Sequence, residues 1–127
     1  RSIDLSNGGV NLIENNVFQT GRNADNSDMI GIALERNDTT GYHPGRTTIR
    51  SNVFLSDRDG ASYAVNGRVD GPGGVAVSGN TFVGKFQRDG ANERKWPVVW
   101  GENRDFPNRA AAGLPLYPGL PQAAHAD

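Results

Sequence analysis

"LIENNVFQTG", residues 12–21, places an aliphatic pair before a polar bend and then sets Asn16, one residue, and Phe18. The phrase returns as "TIRSNVFLSD" (48–57), with Asn52 and Phe54, and as "AVSGNTFVGK" (76–85), with Asn80 and Phe82. Each copy follows a short strand-like run. The interval between copies varies while the phrase keeps its internal order. That combination predicts rigid repeated units joined by loops of adjustable length.

A second phrase lies between the copies of the first. It reads "SIDLS" (2–6), "IGIALE" (30–35), "SYAVNG" (62–67) and "WPVVWG" (96–101). Alternating apolar residues, the period of a strand with one buried face, mark these stretches. The inward set is Ile3 and Leu5, then Ile30, Ile32 and Leu34, then Tyr63 and Val65. The first unit reads as strands at 3–5, 10–13 and 17–19, with a bend over 14–16 and a loop over 20–29. The second has strands at 30–34, 47–50 and 53–55, and the third at 62–66, 75–77 and 81–83. A last strand at 98–100 opens a fourth unit that is not completed.

Composition agrees with many turns and few helices. Only 35% of the 127 residues are hydrophobic and 17 are Gly; Gly and Asn accept left-handed backbone angles at low cost. Thirteen basic and 14 acidic residues leave a formal net charge of -1, so no global field recruits nucleic acid or an anionic membrane. The chain has no cysteine, which excludes disulfides and thiolate metal sites. No apolar run approaches the roughly 20 residues of a membrane helix. Arg1 leads straight into a strand-like run, without an initiator Met or signal-peptide pattern, and the chain is read as a mature, processed or excised piece.

The pattern resembles the right-handed parallel β-helix of the pectate-lyase-like superfamily, whose coils hold three short strands with an Asn at the bend between the second and third. The likeness covers residues 2–101 and implies an all-β fold of about three coils. Asn16, Asn52 and Asn80 would bond in a ladder, and Phe18, Phe54 and Phe82 would stack as an aromatic column. The N-x-F phrase is thus structural. An antiparallel sandwich also explains the alternation, but not why Asn and Phe recur at one place in each unit. Residues 102–127 lose the alternation, hold most of the seven prolines and read as an irregular Pro-rich tail, packed on the outside through Leu114, Leu116, Tyr117 and Leu120. So short a solenoid has open strand edges. It is expected to be the C-terminal part of a longer β-helix or to dock on another chain.

The resemblance implies a polysaccharide lying along the outer face of the first strand of each coil. Alternation turns Asp4, Glu35 and Asn66 to that face, and neighbouring loops add Tyr42, Arg58 and Arg68 as substrate contacts. The insertion "ERNDTTGYHPGR" (35–46) carries Glu35, Arg36, Tyr42, His43 and Arg46. A lyase on a uronate polymer needs a base for the proton beside the carboxylate and a cation to hold that carboxylate as charge develops. His43, Arg46, Glu35 and Arg36 are the catalytic candidates. The same stretch also reads as a plain turn shaped by Pro44 and Gly45.

"SDRDG" (56–60) and "DNSD" (25–28) each pair carboxylates in a loop. Asp57 and Asp59 are candidate Ca²⁺ ligands, because Ca²⁺ takes several oxygens, though EF-hand spacing is absent. Stacked loops would also set Asp25 or Asp28 against Asp57 or Asp59 as a glycosidase pair. The alternative is a solvated polar loop. "DGPGG" (70–74) lacks the Lys and helix of a phosphate loop. Trp96 and Trp100 read as covers for the end of the core.

Two functions follow. The first is a carbohydrate-active lyase, hydrolase or epimerase acting on an acidic polysaccharide outside the cell or in the periplasm, with further β-helix coils as partners. The second is a non-catalytic polysaccharide-binding or structural segment of a surface adhesin or tailspike-like protein. Fold-level likeness alone does not separate them.

Overall fold

A computed structural model describes residues 2–5, 9–32, 45–67, 74–88 and 98–119. Eleven strands occur among them: β1 (Ile3–Leu5), β2 (Asn11–Glu14), β3 (Val17–Thr20), β4 (Asp28–Ile32), β5 (Thr47–Arg50), β6 (Val53–Ser56), β7 (Tyr63–Gly67), β8 (Val75–Ser78), β9 (Thr81–Val83), β10 (Val98–Trp100) and β11 (Arg104–Phe106). No α-helix is present among the described residues.

The strands form three sheets, ordered β1-β4-β7, β2-β5-β8-β10 and β3-β6-β9-β11. Every pairing is parallel. Through β9 the chain visits first, second and third sheet in strict rotation, so each strand lies beside the one three elements later. All-parallel sheets built from such short strands, with no helix among the described residues, are consistent with a parallel β-helix. An antiparallel sandwich is excluded for these strands.

Register explains the repeated phrase. Phe18, Phe54 and Phe82 are Cα partners across the third sheet. Their rings stack at 4.9 Å and 12° and at 5.3 Å and 17°, offset contacts that add to burial. Ile13, Ile49 and Val77 share a row of the second sheet and are buried. Asn16 donates its backbone N–H and its Nδ2 to Asn52 Oδ1, at 2.9 and 3.1 Å. Asn52 does the same to Asn80 at 2.9 and 3.0 Å, and Asn80 to Asn103 at 2.9 and 3.1 Å.

Several sequence expectations are corrected. The left-handed residue of the bend is not the bonded Asn but the one before it. Asn15, Ser51 and Gly79 have φ of 61°, 58° and 68°, which leaves each following Asn free to aim its amide along the row. The strand at 98–100 is not the first of its unit: it pairs with β8 in the second sheet. The third sheet then gains β11 from residues read as tail. In that strand Asp105, not Phe, stands opposite Phe82, so the phrase was disguised. Its carboxylate bonds Arg88 at 2.5 Å, and the Arg88 guanidinium lies over the rings of Phe82 and Trp100 at 5.7 and 5.6 Å. An ion pair thus replaces the next aromatic ring at this end of the column. In β7, Tyr63 is only half-buried and bonds Gln87 through its hydroxyl, whereas Ala64 joins the buried cluster. Leu34 lies outside the described residues.

The segment after β11 turns back along the third sheet. Gly84 N–H bonds Phe106 C=O, Arg109 reaches Asp57, and Gln19 reaches Pro118 C=O. It therefore passes from the last strands towards the first. Leu55 and Val83 are fully buried yet lie on the opposite face of their strands from Phe54 and Phe82. This returning strap accounts for a small second apolar layer outside the third sheet. Gly84 sits at the contact with φ of 111°, and a Cβ there would collide with Ser56 C=O.

Candidate functional site

The expected substrate face is only partly in view. Register sets Asp4, Gly31 and Asn66 side by side on the first sheet. Asp4 is exposed and Asn66 half-buried. Asn66 Nδ2 donates to Asp28 Oδ2 at 3.1 Å, and Asp28 also receives the Ser27 hydroxyl at 3.3 Å. Asp28 is thereby a buried acceptor, 9% exposed. Arg46 is exposed just before β5, and its carbonyl accepts Asn11 N–H at 3.2 Å. Glu35, Arg36, Tyr42, His43 and Arg68 lie outside the described residues.

In the acidic loops Asp57 is already engaged by a guanidinium. Both Asp57 oxygens are taken by Arg109, Nε to Oδ1 at 2.7 Å and Nη2 to Oδ2 at 2.8 Å. The side chains are 9% and 8% exposed. This bidentate fork matches guanidinium to carboxylate with two charge-assisted bonds. The Arg109 hydrogen bond holds the Asp57 carboxyl below the usual carboxylate range, against the upward push of burial. The same bond raises Arg109 above its ordinary value. A carboxylate so neutralised does not fit a Ca²⁺ ligand or a glycosidase nucleophile. No group of three or more metal-binding side chains occurs among the described residues. Asp59 is exposed. Arg109 Nη1 also donates to the carbonyls of Pro115 and Gly119, so the pair pins the strap to the turn after β6.

Around this pair the strap and the turns after β3, β6 and β9 enclose a cleft of about 350 Å³. Arg22, Arg58 and Lys85 line it, one from each turn. Arg22 lies over the Tyr117 ring at 4.6 Å. Arg58 is oriented by carbonyls, Nε to Ala24 at 3.0 Å and Nη1 to Ala61 at 2.6 Å. Lys85 Nζ donates to Asp59 C=O at 2.7 Å. Among the described residues none of these three cations forms an ion pair with a carboxylate. With Arg109 the lining carries four cationic side chains against the two carboxylates of Asp57 and Asp59.

Of these residues the sequence singled out Arg58, Asp57 and Asp59, and Tyr117 only as a packing point of the tail; it missed Arg22, Lys85 and Arg109. A signal was present for two of them. A cation follows each N-x-F phrase at the same offset, one residue shorter in the third copy. Arg109 and Tyr117 carry no such signal, because their neighbours come from distant parts of the chain. No family model, curated protein or solved structure matches this chain.

Proposed function

We propose that the chain is a segment of a right-handed parallel β-helix of the pectate-lyase-like kind, with about three coils and an asparagine ladder, and that it serves a carbohydrate-active protein acting on an acidic polysaccharide. The observation that carries this reading is the rotation of the chain through three parallel sheets with hydrogen-bonded asparagines at one recurring bend. It brings the residues of successive rounds into rows about 4.8 Å apart, a geometry suited to a linear polymer. The reading places the protein outside the cell or in the periplasm, with polysaccharide and further β-helix coils as partners.

In the catalytic form of this reading, His43 or Glu35 takes the proton beside a uronate carboxylate. Arg36 or Arg46 holds the carboxylate as negative charge develops. The C–H electron pair becomes the double bond of the unsaturated product, and the C–O bond breaks with its pair leaving on the departing sugar oxygen, which takes up a proton. In the second reading the chain binds polymer without turning it over. That reading is favoured by the internal engagement of carboxylates: Asp57 by Arg109, Glu14 by Arg50 at 2.9 Å and Asp105 by Arg88. Incubation with polygalacturonate and with alginate tests both. Unsaturated uronate product that vanishes in His43→Ala or Arg46→Ala supports the lyase. Retarded migration in polymer-containing gels without product supports the binding segment. Neither product nor retardation refutes the polysaccharide reading.

A further inference from the structure

We infer that the cleft between the C-terminal strap and the turns after β3, β6 and β9 is a binding site for an oxyanion-bearing ligand, held by Arg22, Arg58 and Lys85. In deepening the polysaccharide reading to a uronate carboxylate as that oxyanion, the assignment rests on it; as a site for a free oxyanion it stands apart from it. The cleft lies outside the third sheet, on the far side of that sheet from the aromatic column, and not on the outer face of the first sheet.

Three facts carry the inference. The cations come from successive turns and stand together, across about two strand spacings, roughly 10 Å. None of them is paired with a carboxylate among the described residues, although Asp57 and Asp59 line the same cleft. Each is instead aimed by a neutral group: Tyr117 for Arg22, Ala24 and Ala61 carbonyls for Arg58, the Asp59 carbonyl for Lys85.

Like charges so placed repel one another, and a concave wall of low dielectric strengthens their joint field. The one buried carboxylate of the cleft, Asp57, has both oxygens taken by Arg109 and reaches Arg22 only through a weaker, longer-range attraction. An anion entering the cleft relieves the repulsion. Arg22 offers a planar fork to an oxyanion, Arg58 offers its charge and Nη2 because Nε and Nη1 are already engaged, and Lys85 adds a point charge. Tyr117 already has Arg22 over its ring and serves as a positioning residue. Asp59 at the rim disfavours a ligand with charge on every face, and the site takes a group presented from one side.

Calorimetric titration of the intact chain with three probes tests the assignment: a galacturonate oligosaccharide, a neutral malto-oligosaccharide of equal length, and inorganic phosphate. Arg22→Gln and Lys85→Gln are the primary variants, because both side chains are exposed and hold no buried pair. Arg58→Gln is the third, with circular dichroism checking that it folds. Binding of the galacturonate oligosaccharide that weakens about tenfold per charge removed, and weakens with salt as the Debye length falls from about 10 to about 3 Å, supports the site with its uronate source. Phosphate binding that the variants abolish, with no binding of either oligosaccharide, supports the oxyanion site and refutes the polysaccharide source. Galacturonate binding unchanged in all variants overturns the cleft and leaves the polysaccharide reading standing. Equal binding of the neutral oligosaccharide, or no binding of any probe, overturns the assignment.

Discussion

Replacing Asn52 by Ala should be one of the most damaging small changes available in this chain. Asn52 is 1% exposed. Its Oδ1 accepts the backbone N–H and Nδ2 of Asn16, and its Nδ2 donates to Ile13 C=O at 3.0 Å and to Asn80 Oδ1 at 3.0 Å. Removing the side chain takes a donor from Ile13 C=O and the acceptor from Asn16 N–H, while Asn80 Oδ1 keeps the backbone N–H of residue 52. At about 1–3 kcal/mol per buried group left unsatisfied, the cost is about 4 kcal/mol. Asn16 makes the same type of bonds but is exposed at its end of the row, so water replaces the lost partners. Asn16→Ala should cost about 1 kcal/mol. Urea unfolding followed by far-ultraviolet circular dichroism reads the difference. With a slope of about 2 kcal/mol per molar urea, Asn52→Ala moves the midpoint down by about 2 M and Asn16→Ala by about 0.5 M. Equal shifts in the two variants would show that burial of the amide row does not set its contribution, and the reasoning would fail.

Phe54→Ala opens a hole between two stacked rings and should cost about 3–5 kcal/mol, measured in the same unfolding experiment; a loss below about 1 kcal/mol would mean that the column relaxes to fill it. Gly84→Ala forces a side chain onto Ser56 C=O in a left-handed backbone. It should destabilise by about 2 kcal/mol, and its proteolytic nicking should concentrate in residues 107–119; uniform nicking would argue against local release of the strap. The Asp57–Arg109 pair predicts a pH dependence. Because the folded-state carboxyl is depressed, its stabilisation is present above the unfolded value of about 3.9 and is lost as pH falls through the lower folded value. Thermal melts between neutral and acid pH should therefore show a decline in that acid window that Arg109→Met removes; the same decline in the variant would assign it to other groups.

How much of this architecture is legible in the chain itself depends on which interactions are local in the repeat. Ten of the eleven strands among the described residues follow from period-2 alternation and a recurring phrase, and Phe18, Phe54 and Phe82 meet because each occupies the same place in its unit. Identical residues at identical places are brought into register by parallel pairing, so reading one copy reads them all. The edges of the pattern failed for equally local reasons. Asp105 stands where a Phe was expected, so β11 went unread and Asn103 was not seen as the next member of the asparagine row. Ala64 rather than Tyr63 is the more deeply buried of that pair, because a hydroxyl with a partner in Gln87 is better placed at the surface.

The site was less legible. Arg58, Asp57 and Asp59 were visible as a charged loop, but their roles were not. Asp57 looked like a metal or catalytic carboxylate until a guanidinium from the returning strap was found on both its oxygens. Nothing near either residue announces that contact, since the two lie 52 positions apart. The sequence alone determined all the strands but β11, their repetition and most of the inward residues, because those follow from short-range periodicity. Only the tertiary structure decided which charges of the cleft are neutralised and, among the described residues, which have no carboxylate beside them. A charge acquires its function from partners that the folded chain brings from far away, and no local pattern records them.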